Sequence, residues 1–290
     1  KVKAKDLWKK ILTSLYETGH PWITFKDPSN IRYSNKHEGV VHSSNLCTEI
    51  LLHTKPTKYD EGEVVEVGET AVCNLASINL ENHIKVRTLD WKKLQETVEV
   101  AIRGLDNVID INFYPTKEAK QSNLRHRPIG LGIMGTHGML HSLGVSYDSK
   151  EAVELCGKVQ EFISYYAILT SSKLAKERGV YESYEHSEWS YGNLPIDTYC
   201  RLIEHRGGDD SKASSFETME WDRVREHIAL HGMRNSNVMA IAPTATISYI
   251  QGCSQSIEPD YSVLFVYSTL SGEFTIINEH FVKMAKKKNI

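Results

Sequence analysis

The chain has 290 residues, of which 34 are basic and 37 acidic, giving a net charge of −3 at pH 7. This near balance provides no basic surface for a nucleic-acid backbone. No apolar run approaches the roughly 18 residues of a membrane span, so we expect neither nucleic acid nor a membrane as a partner. An apolar fraction of 40% is ample for a globular core, and this length fits one large α/β barrel.

Five cysteines are scattered along the chain without a C-x-x-C pair: Cys47, Cys73, Cys156, Cys200 and Cys253. Small secreted proteins instead carry a dense, even-numbered disulfide framework. The amino terminus also lacks the apolar core of a signal peptide. We therefore expect a reducing, cytoplasmic location. Because Lys1 already begins a helical pattern, we also expect a piece of a longer protein.

The apolar residues predict helices that alternate with strands. Helical spacing of apolar side chains occurs in residues 5–18, 91–111, 149–178 and 221–230. Gly19 and Pro21 end the first of these helices. Residues 73–80 form a short apolar run before the second helix, so this part resembles a β-α unit. Alternating strands and helices favour the α/β class.

Residues 45–49 read Asn-Leu-Cys-Thr-Glu and place an amide, a thiol and a carboxylate at every second position. In an extended segment, Asn45, Cys47 and Glu49 would face the same way and address one bound molecule. A second thiol, Cys73, follows after a polar connection. One thiol to react and another for redox exchange would suffice for a radical reduction. The alternative is that Cys47 is a small buried apolar residue.

Residues 127–135 mix apolar residues with glycines at positions 130, 132 and 135. The spacing matches G-x-G-x-x-G, but a dinucleotide site also needs a strand-turn-helix unit and a later acidic residue. Glycines also permit close backbone approach or positive φ. The pattern therefore favours a tightly packed strand and its following turn.

Residues 238–242 are typical of a buried strand, and Pro-Thr-Ala-Thr-Ile-Ser follows at 243–248. A strand that enters a turn of small hydroxyl residues before a helix is a competent anion site. Uncapped backbone N–H groups and the helix dipole both favour phosphate there. The alternative, an ordinary helix N-cap by Thr244 or Thr246, stays open from the local pattern.

Seven short segments, in this order along the chain, carry a resemblance to a known family. They are HSSNLCTEI at 42–50, AVCNL at 71–75, LDNVID at 105–110, RPIGLG at 127–132, IAPTATIS at 241–248, SIEP at 256–259 and LSGEF at 270–274. Together they resemble the catalytic barrel of the large subunit of ribonucleotide reductase, most closely the class I form. Each segment is weak alone, but the set is highly specific.

The resemblance implies a ten-stranded α/β barrel of the ribonucleotide reductase and glycyl radical type, incomplete in this chain. Residues 1–290 would be the central part of that catalytic barrel domain, without a separate second domain. Residues 45–49 would lie on a finger loop that enters the barrel. If straight, that segment would hold the Asn45 and Glu49 backbones roughly 13 Å apart, much farther than adjacent ribose hydroxyls. We therefore expect it to bend or its side chains to converge.

The resemblance also implies a role for each site residue in reducing ribonucleoside diphosphates to deoxyribonucleoside diphosphates. Cys47 would be the thiyl radical that abstracts the 3′ hydrogen, and Glu49 would accept the 3′ hydroxyl proton. Asn45 would hold the ribose, with Ser44 beside it in the substrate site. Cys73 would be one half of the dithiol that supplies two electrons. The diphosphate would bind, chiefly through backbone N–H groups, at Thr244, Ala245, Thr246, Ile247 and Ser248.

Other parts of such an enzyme are expected outside this chain. The cysteine partner of Cys73 and the ATP and dNTP effector sites would precede Lys1, since none of the later cysteines occupies the partner's place. Radical-relay tyrosines and shuttle cysteines would follow Ile290. The adjacent Tyr165 and Tyr166 fall within a predicted helix, so we interpret them as packing and surface residues.

No metal ligands are predicted, and no cofactor is expected to bind this segment directly. The radical would come from a metal-containing small subunit or, in the cobalamin-dependent class, from cobalamin. Thioredoxin or glutaredoxin would be the reductant, and the complete large subunit a homodimer. Two alternatives are a noncatalytic nucleotide-binding or assembly fragment and a segment of a cobalamin-dependent reductase. The segments at 45–50 and 270–274 favour class I.

Overall fold

The computed structural model describes residues 1–208, 218–270 and 272–289; Ser271 of the LSGEF segment lies outside them. The described α-helices are α1 (Ala4–Thr18), α2 (Lys26–Arg32), α3 (Trp91–Ile111), α4 (Lys117–His126), α5 (Thr136–Leu143), α6 (Lys150–Arg178), α7 (Pro195–His205), α8 (Trp221–His231), α9 (Ile247–Gln251) and α10 (Glu279–Lys287). The strands are β1 (Lys58–Asp60), β2 (Glu63–Glu66), β3 (Leu75–Asn79), β4 (Ile84–Lys85), β5 (Thr88–Leu89), β6 (Gly130–Met134), β7 (Leu264–Thr269) and β8 (Gly272–Ile277). Within these ranges, no helix combines the length and apolar character needed to cross a membrane.

The centre of the fold is a wall of three parallel segments. β3 and β6 pair in parallel, with Ile78 opposite Ile133. The 237–240 segment pairs with β6 through a parallel bridge between Leu131 and Met239. Because β3 is followed by α3 and then by its parallel partner β6, the predicted β-α unit is confirmed.

The described residues show a mixed α/β fold without a closed barrel. Besides the parallel wall, β1 pairs with β2, β4 with β5 and β7 with β8, each pair antiparallel. The predicted α/β class is therefore confirmed as a fold class. The ten-stranded barrel stays a prediction.

The long helices α3 and α6 pack against each other and share one core with the wall. Each begins with a side-chain cap, because Asp90 accepts a hydrogen bond from the backbone of Lys93 and Ser149 one from Ala152. α3 has its predicted bounds, and α6 differs from prediction only in that Ser149 is its cap. Tyr165 on α6 is buried with its ring centre 5.4 Å from that of Trp221, which confirms its predicted packing role.

Glycines let the 237–240 segment approach β6 directly. A Cβ added at Gly130 would lie 2.8 Å from the Ala240 Cβ, and one at Gly132 would clash with the Ala240 carbonyl oxygen. Gly135 has a φ of 76°, in the region that favours glycine. The predicted tightly packed strand and turn are confirmed.

A buried ion-pair network fixes the base of the wall. Asp106 on α3 is fully buried and accepts hydrogen bonds of 2.9 Å from both Arg127 Nε and Arg178 Nη1. The Asn235 amide donates to Asp106 at 3.2 Å and to the Arg127 carbonyl at 3.1 Å. Since Arg127 and Asn235 lie just before β6 and the 237–240 segment, the network sets the relative position of these two segments.

Three local features differ from expectation. Residues expected to form a loop contain α2, whose Asn30 side chain both donates to and accepts from the Val41 backbone at 2.9 Å. The apolar stripe of α1 has no buried residue. The strand expected over 238–242 is reduced to the bridge at Met239, because Pro243 and a φ of 56° at Thr244 turn the chain away.

Candidate active site

The 45–50 loop is a closed turn. The Thr48 N–H donates to the Asn45 carbonyl at 3.2 Å, the Asn45 N–H to the Ile50 carbonyl at 3.2 Å, and the Ile50 N–H to Asn45 Oδ1 at 3.0 Å. Thr48 has a φ of 67°, which is rare for a β-branched residue. The chain therefore reverses at Leu46 and Cys47. The prediction of an extended segment, with Asn45, Cys47 and Glu49 all facing the same way, was wrong because these hydrogen bonds fold the segment back. The predicted bend in the segment is confirmed.

Glu49 follows the turn and lines a cavity of about 50 Å³ together with Cys73, Pro128 and Asn237. Glu49 Oε2 is buried, and no described residue forms a hydrogen bond with it. A buried polar atom without a partner costs free energy. This oxygen therefore marks a place where a hydrogen-bond donor of a bound molecule would be stabilised.

Cys73 lies just before β3, and the fold brings it near the 45–50 loop. Its side chain is exposed, whereas Cys47 is half-buried. Local desolvation, followed by the charges of Glu49 and Cys47, raises the pKa of the Cys73 thiol. The thiol is therefore protonated at neutral pH.

Ser44 supports the 45–50 loop, because its Oγ donates a hydrogen bond of 3.0 Å to the Asn45 carbonyl.

The 244–248 turn follows the carboxyl end of the 237–240 segment. Its closing hydrogen bond runs from the Ser248 N–H to the Thr244 carbonyl at 3.0 Å. Among the described residues, none accepts a hydrogen bond from the backbone N–H groups of Ala245, Thr246 or Ile247. Ser248 is fully buried, and its Oγ has no hydrogen-bond partner among the described residues either. These donors fit the predicted anion site.

The hydroxyl of Thr244 is used by a distant segment. Thr244 Oγ1 accepts a hydrogen bond of 2.8 Å from the Ser256 N–H. The Ser256 carbonyl accepts one of 2.9 Å from Thr136 Oγ1 at the start of α5. α9 begins without a side-chain cap from Thr246. The alternative of a helix N-cap is therefore wrong, and the turn is tied to α5.

The 45–50 loop and the 244–248 turn lie near different parts of the parallel wall. Asn237 and Met239 line the small cavity that contains Glu49 and Cys73. The chain from Met239 to Thr244 spans at most roughly 16 Å if extended. The two places are therefore close enough for one nucleotide-sized ligand to contact both. The fold groups the predicted reactive residues and places the predicted phosphate turn farther along the wall.

The fold also forms a buried cluster of His53, Glu69 and His126 that the sequence did not predict, and the ligand atoms of these residues lie within 4.8 Å of one another. Glu69 Oε2 lies 2.7 Å from His53 Nε2 and 3.1 Å from His126 Nε2. The outer nitrogens lie 2.6 Å from Tyr33 OH and from Ser183 Oγ, respectively. Imidazole and carboxylate groups can hold a metal, but here every ring nitrogen already has a partner. No sequence motif joins these dispersed positions.

The charges around this cluster favour an ion-pair network. Arg125 contacts Glu38 at 2.7 Å and Glu69 at 2.8 Å, and Lys55 contacts them at 2.9 and 3.5 Å. Two carboxylates thus balance two cations, so a divalent ion would add uncompensated charge. Although burial opposes ionisation, hydrogen bonds from the histidines and Arg125 lower the pKa of Glu69. Burial also lowers the pKa of His126, which favours its neutral form.

Comparison with known protein families tests the family resemblance that the seven sequence segments indicated. The family model described as "Ribonucleotide reductase, barrel domain" matches residues 1–290. The chain belongs to the ribonucleotide reductase barrel domain family. The predicted family is confirmed over the full chain.

Curated relatives of the ribonucleotide reductase family are similar over almost the whole chain. A ribonucleoside-diphosphate reductase subunit alpha from Chlamydia pneumoniae is 57% identical over 287 residues, covering 99% of this chain and 26% of the relative. The protein of the same name from Helicobacter pylori is 39% identical over 325 residues, covering 95% and 40%. A ribonucleoside-diphosphate reductase large subunit from Caenorhabditis elegans is 38% identical over 283 residues, covering 97% and 33%. The chain therefore spans between about a quarter and two fifths of these relatives.

Proposed function

We propose that this chain is the central catalytic segment of an enzyme that reduces ribonucleoside diphosphates to deoxyribonucleoside diphosphates. One observation carries the proposal: the loop with Asn45 and Cys47 adjoins a cavity lined by Cys73 and by Glu49, one of whose oxygens has no hydrogen-bond partner among the described residues. The relatives' names supply the substrate class. In the complete protein, this loop lies at the centre of a ten-stranded barrel, which excludes water from the reaction.

Cys47 is the hydrogen-abstracting residue in this proposal. As a thiyl radical it takes the 3′ hydrogen of the ribose, which leaves a carbon radical on the sugar and a thiol on Cys47. Glu49 accepts the 3′ hydroxyl proton, and its unpaired Oε2 supports that role. Asn45 holds the ribose, and Ser44 supports the loop beside it.

Cys73 provides half of the reductant. Loss of the 2′ hydroxyl as water consumes two electrons and two protons, which Cys73 and a second thiol supply as they join in a disulfide. Cys47 then returns a hydrogen atom to C3′ and becomes a thiyl radical again. The raised pKa of Cys73 supports this role because the thiol keeps its proton. The second thiol belongs to a part of the protein outside residues 1–290.

The substrate diphosphate binds at the 244–248 turn. This assignment is supported by the N–H groups of Ala245, Thr246 and Ile247 and by the Ser248 hydroxyl, none of which has a hydrogen-bond partner within the described part of the chain. Thr244 shapes the turn through its bond to Ser256. A nucleoside diphosphate carries its ribose and its diphosphate at separate places, so one such molecule can contact both the loop and the turn.

The radical originates in a metal-containing small subunit. The relatives' names, subunit alpha and large subunit, and the class I character of segments 45–50 and 270–274 support a partner subunit. Thioredoxin or glutaredoxin restores the dithiol, the complete large subunit is a cytoplasmic homodimer, and ATP and dNTP effectors bind outside this chain.

The test uses the complete large subunit with its small subunit. Cys47→Ser should abolish deoxyribonucleotide formation while the Kd for the diphosphate stays within about twofold. Cys156→Ala is the matched control, because Cys156 lies on α6 and lines a different cavity, and it should retain turnover. Substantial turnover by Cys47→Ser would exclude the assigned role.

The same assay separates the alternatives. Turnover that requires cobalamin and not the small subunit would place the chain in the cobalamin-dependent class. Diphosphate binding by the wild-type complex without any reduction would identify a noncatalytic nucleotide-binding protein.

A further inference from the structure

The buried cluster of His53, Glu69 and His126 joins three chain segments that continue into the candidate active site. Each segment lines the small cavity close to its cluster residue: 49–52 before His53, 72–75 after Glu69 and 128–130 after His126. The cluster residues themselves do not line the cavity. Three of the segments around the cavity therefore meet at one buried point beside it.

We propose that His53, Glu69 and His126 form a histidine clamp, a set of positioning residues that hold Glu49 and Cys73 at the same cavity for the reduction. The inference rests on the proposed function. Reactions of this kind need the reacting groups in a fixed geometry, and a misplacement of about 1 Å can cost about 100-fold in rate. Support from beside the cavity therefore acts on kcat more than on substrate binding.

When both imidazoles are neutral, every polar group of the clamp has a partner. The ionised Glu69 carboxylate only accepts, so His53 and His126 each donate to Oε2 from Nε2, at 2.7 and 3.1 Å. Each Nδ1 is then an acceptor. Tyr33 OH lies 2.6 Å from Nδ1 of His53, Ser183 Oγ lies 2.6 Å from Nδ1 of His126, and both hydroxyls can donate. A complete network of this kind fixes both rings.

Burial and charge oppose any rearrangement of the clamp. His53, Glu69 and His126 are each at most 4% exposed, so a lost hydrogen bond would leave a polar group without solvent. Arg125 and Lys55 lie 2.8 and 3.5 Å from the Glu69 carboxylate and keep it ionised. Burial lowers the pKa of His126, which keeps that ring neutral.

The backbone closes the same junction. Lys55 and Glu69 form an antiparallel bridge with N–O distances of 2.9 and 2.8 Å, which separates the exposed β1–β2 hairpin from the cavity. Glu49 precedes His53 by four residues, and Cys73 follows Glu69 by four. The two cavity residues therefore stand at equal distances along the chain from the clamp.

The first test measures steady-state kinetics of the complete large subunit with its small subunit. His53→Leu removes a donor to Glu69 and should lower kcat at least about tenfold. The KM for the diphosphate should stay within about twofold, because the 244–248 turn lies elsewhere along the wall. His53→Gln restores an N–H donor and should recover most of kcat.

His83→Leu is the matched control. His83 is 4% exposed, and its ring nitrogens lie 2.9 Å from the Asn79 carbonyl oxygen and 2.9 Å from Thr97 Oγ1, but it does not line the cavity. This substitution should lower the thermal unfolding temperature as His53→Leu does, yet leave kcat within about twofold. Equal falls in kcat for both leucine variants, or no recovery with His53→Gln, would overturn the proposal.

A second test needs no turnover, so it separates the clamp from the proposed function. Iodoacetamide reacts with the thiolate, and burial followed by the charge of Glu49 raises the pKa of the Cys73 thiol. Glu49→Gln should therefore lower the pH midpoint of Cys73 alkylation, and lower it less when His53→Leu is also present. Equal shifts in both backgrounds would overturn the clamp, whereas a wild-type complex without reduction would overturn the proposed function.

Discussion

The Thr244 hydroxyl accepts a hydrogen bond of 2.8 Å from the backbone N–H of Ser256. Both residues are buried and have positive φ, 56° and 43°. A backbone conformation of this kind persists in residues other than glycine only where surrounding contacts hold it. Thr244 therefore acts as a positioning residue that keeps the free N–H groups of the 244–248 turn in place.

Replacing Thr244 by valine tests this positioning role in the complete enzyme. Valine has the same shape but leaves the buried Ser256 N–H without an acceptor. That loss costs about 1–3 kcal/mol, so we expect KM for the diphosphate to rise about tenfold while kcat changes little. Thr244→Ser retains the oxygen and should restore KM. Steady-state kinetics would contradict the role if valine had no effect or serine failed to rescue.

The pH dependence of alkylation tests the environment of Cys73. Iodoacetamide reacts with the thiolate, so the raised pKa of Cys73 should move the reaction midpoint above that of an ordinary cysteine. Glu49→Gln removes a negative charge that opposes ionisation, and the midpoint should fall. Mass spectrometry can follow each cysteine separately.

Cys253 is an internal control for that experiment. Burial, Glu81 and Asp260 raise its pKa to about 11. Because Glu49 is not among these causes, Glu49→Gln should leave the Cys253 midpoint unchanged. Equal shifts at Cys73 and Cys253 would indicate a general structural change and not a local charge effect.

Asp106→Asn tests the network at the base of the wall. Asparagine leaves Arg127 and Arg178 with an incomplete set of partners in a buried site, and we expect a loss of about 3–5 kcal/mol in unfolding free energy. Asp110→Asn is the control, because Asp110 is half-exposed and, among the described residues, forms an ion pair with Arg127 only. The loss of unfolding free energy caused by Asp110→Asn should stay below about 1 kcal/mol. Urea unfolding of the complete subunit measures both, and equal losses would argue against a special role for Asp106.

Gly132→Ala tests the close contact between β6 and the 237–240 segment. A new Cβ would clash with the Ala240 carbonyl oxygen, so the two segments must separate. We expect destabilisation of about 1–3 kcal/mol and weaker diphosphate binding. Gly104→Ala is the opposite case, because a Cβ there meets open space on α3 and should stabilise the helix by about 0.5–1 kcal/mol. Thermal unfolding that ranked the two variants in reverse would contradict this account.

Features that depend on neighbouring residues were predictable from the sequence. Asp90 and Ser149 cap helices because a side chain three residues from a free N–H can reach it. The apolar spacing of α3 gave its bounds, and the glycines at 130 and 132 indicated a packed strand. Reactive residue types in a characteristic order indicated the family, which the match over 1–290 confirmed.

Periodicity and capping rules failed where hydrogen bonds outside a regular helix or strand choose the conformation. Hydrogen bonds across residues 45–50 replaced the extended alternation with a turn. A local rule also left Thr244 as a possible helix cap, whereas its partner is Ser256, which is not adjacent in sequence.

The sequence by itself determined the mixed α/β class, the main helices, the family and the identity of the candidate reactive residues. The tertiary structure decided that Glu49 lies beside Cys73, that Asp106 joins two segments of the wall, and that Thr244 bonds to Ser256. The physical reason is that periodicity and capping act over a few residues, whereas burial, charge balance and hydrogen-bond completion depend on groups brought together by folding.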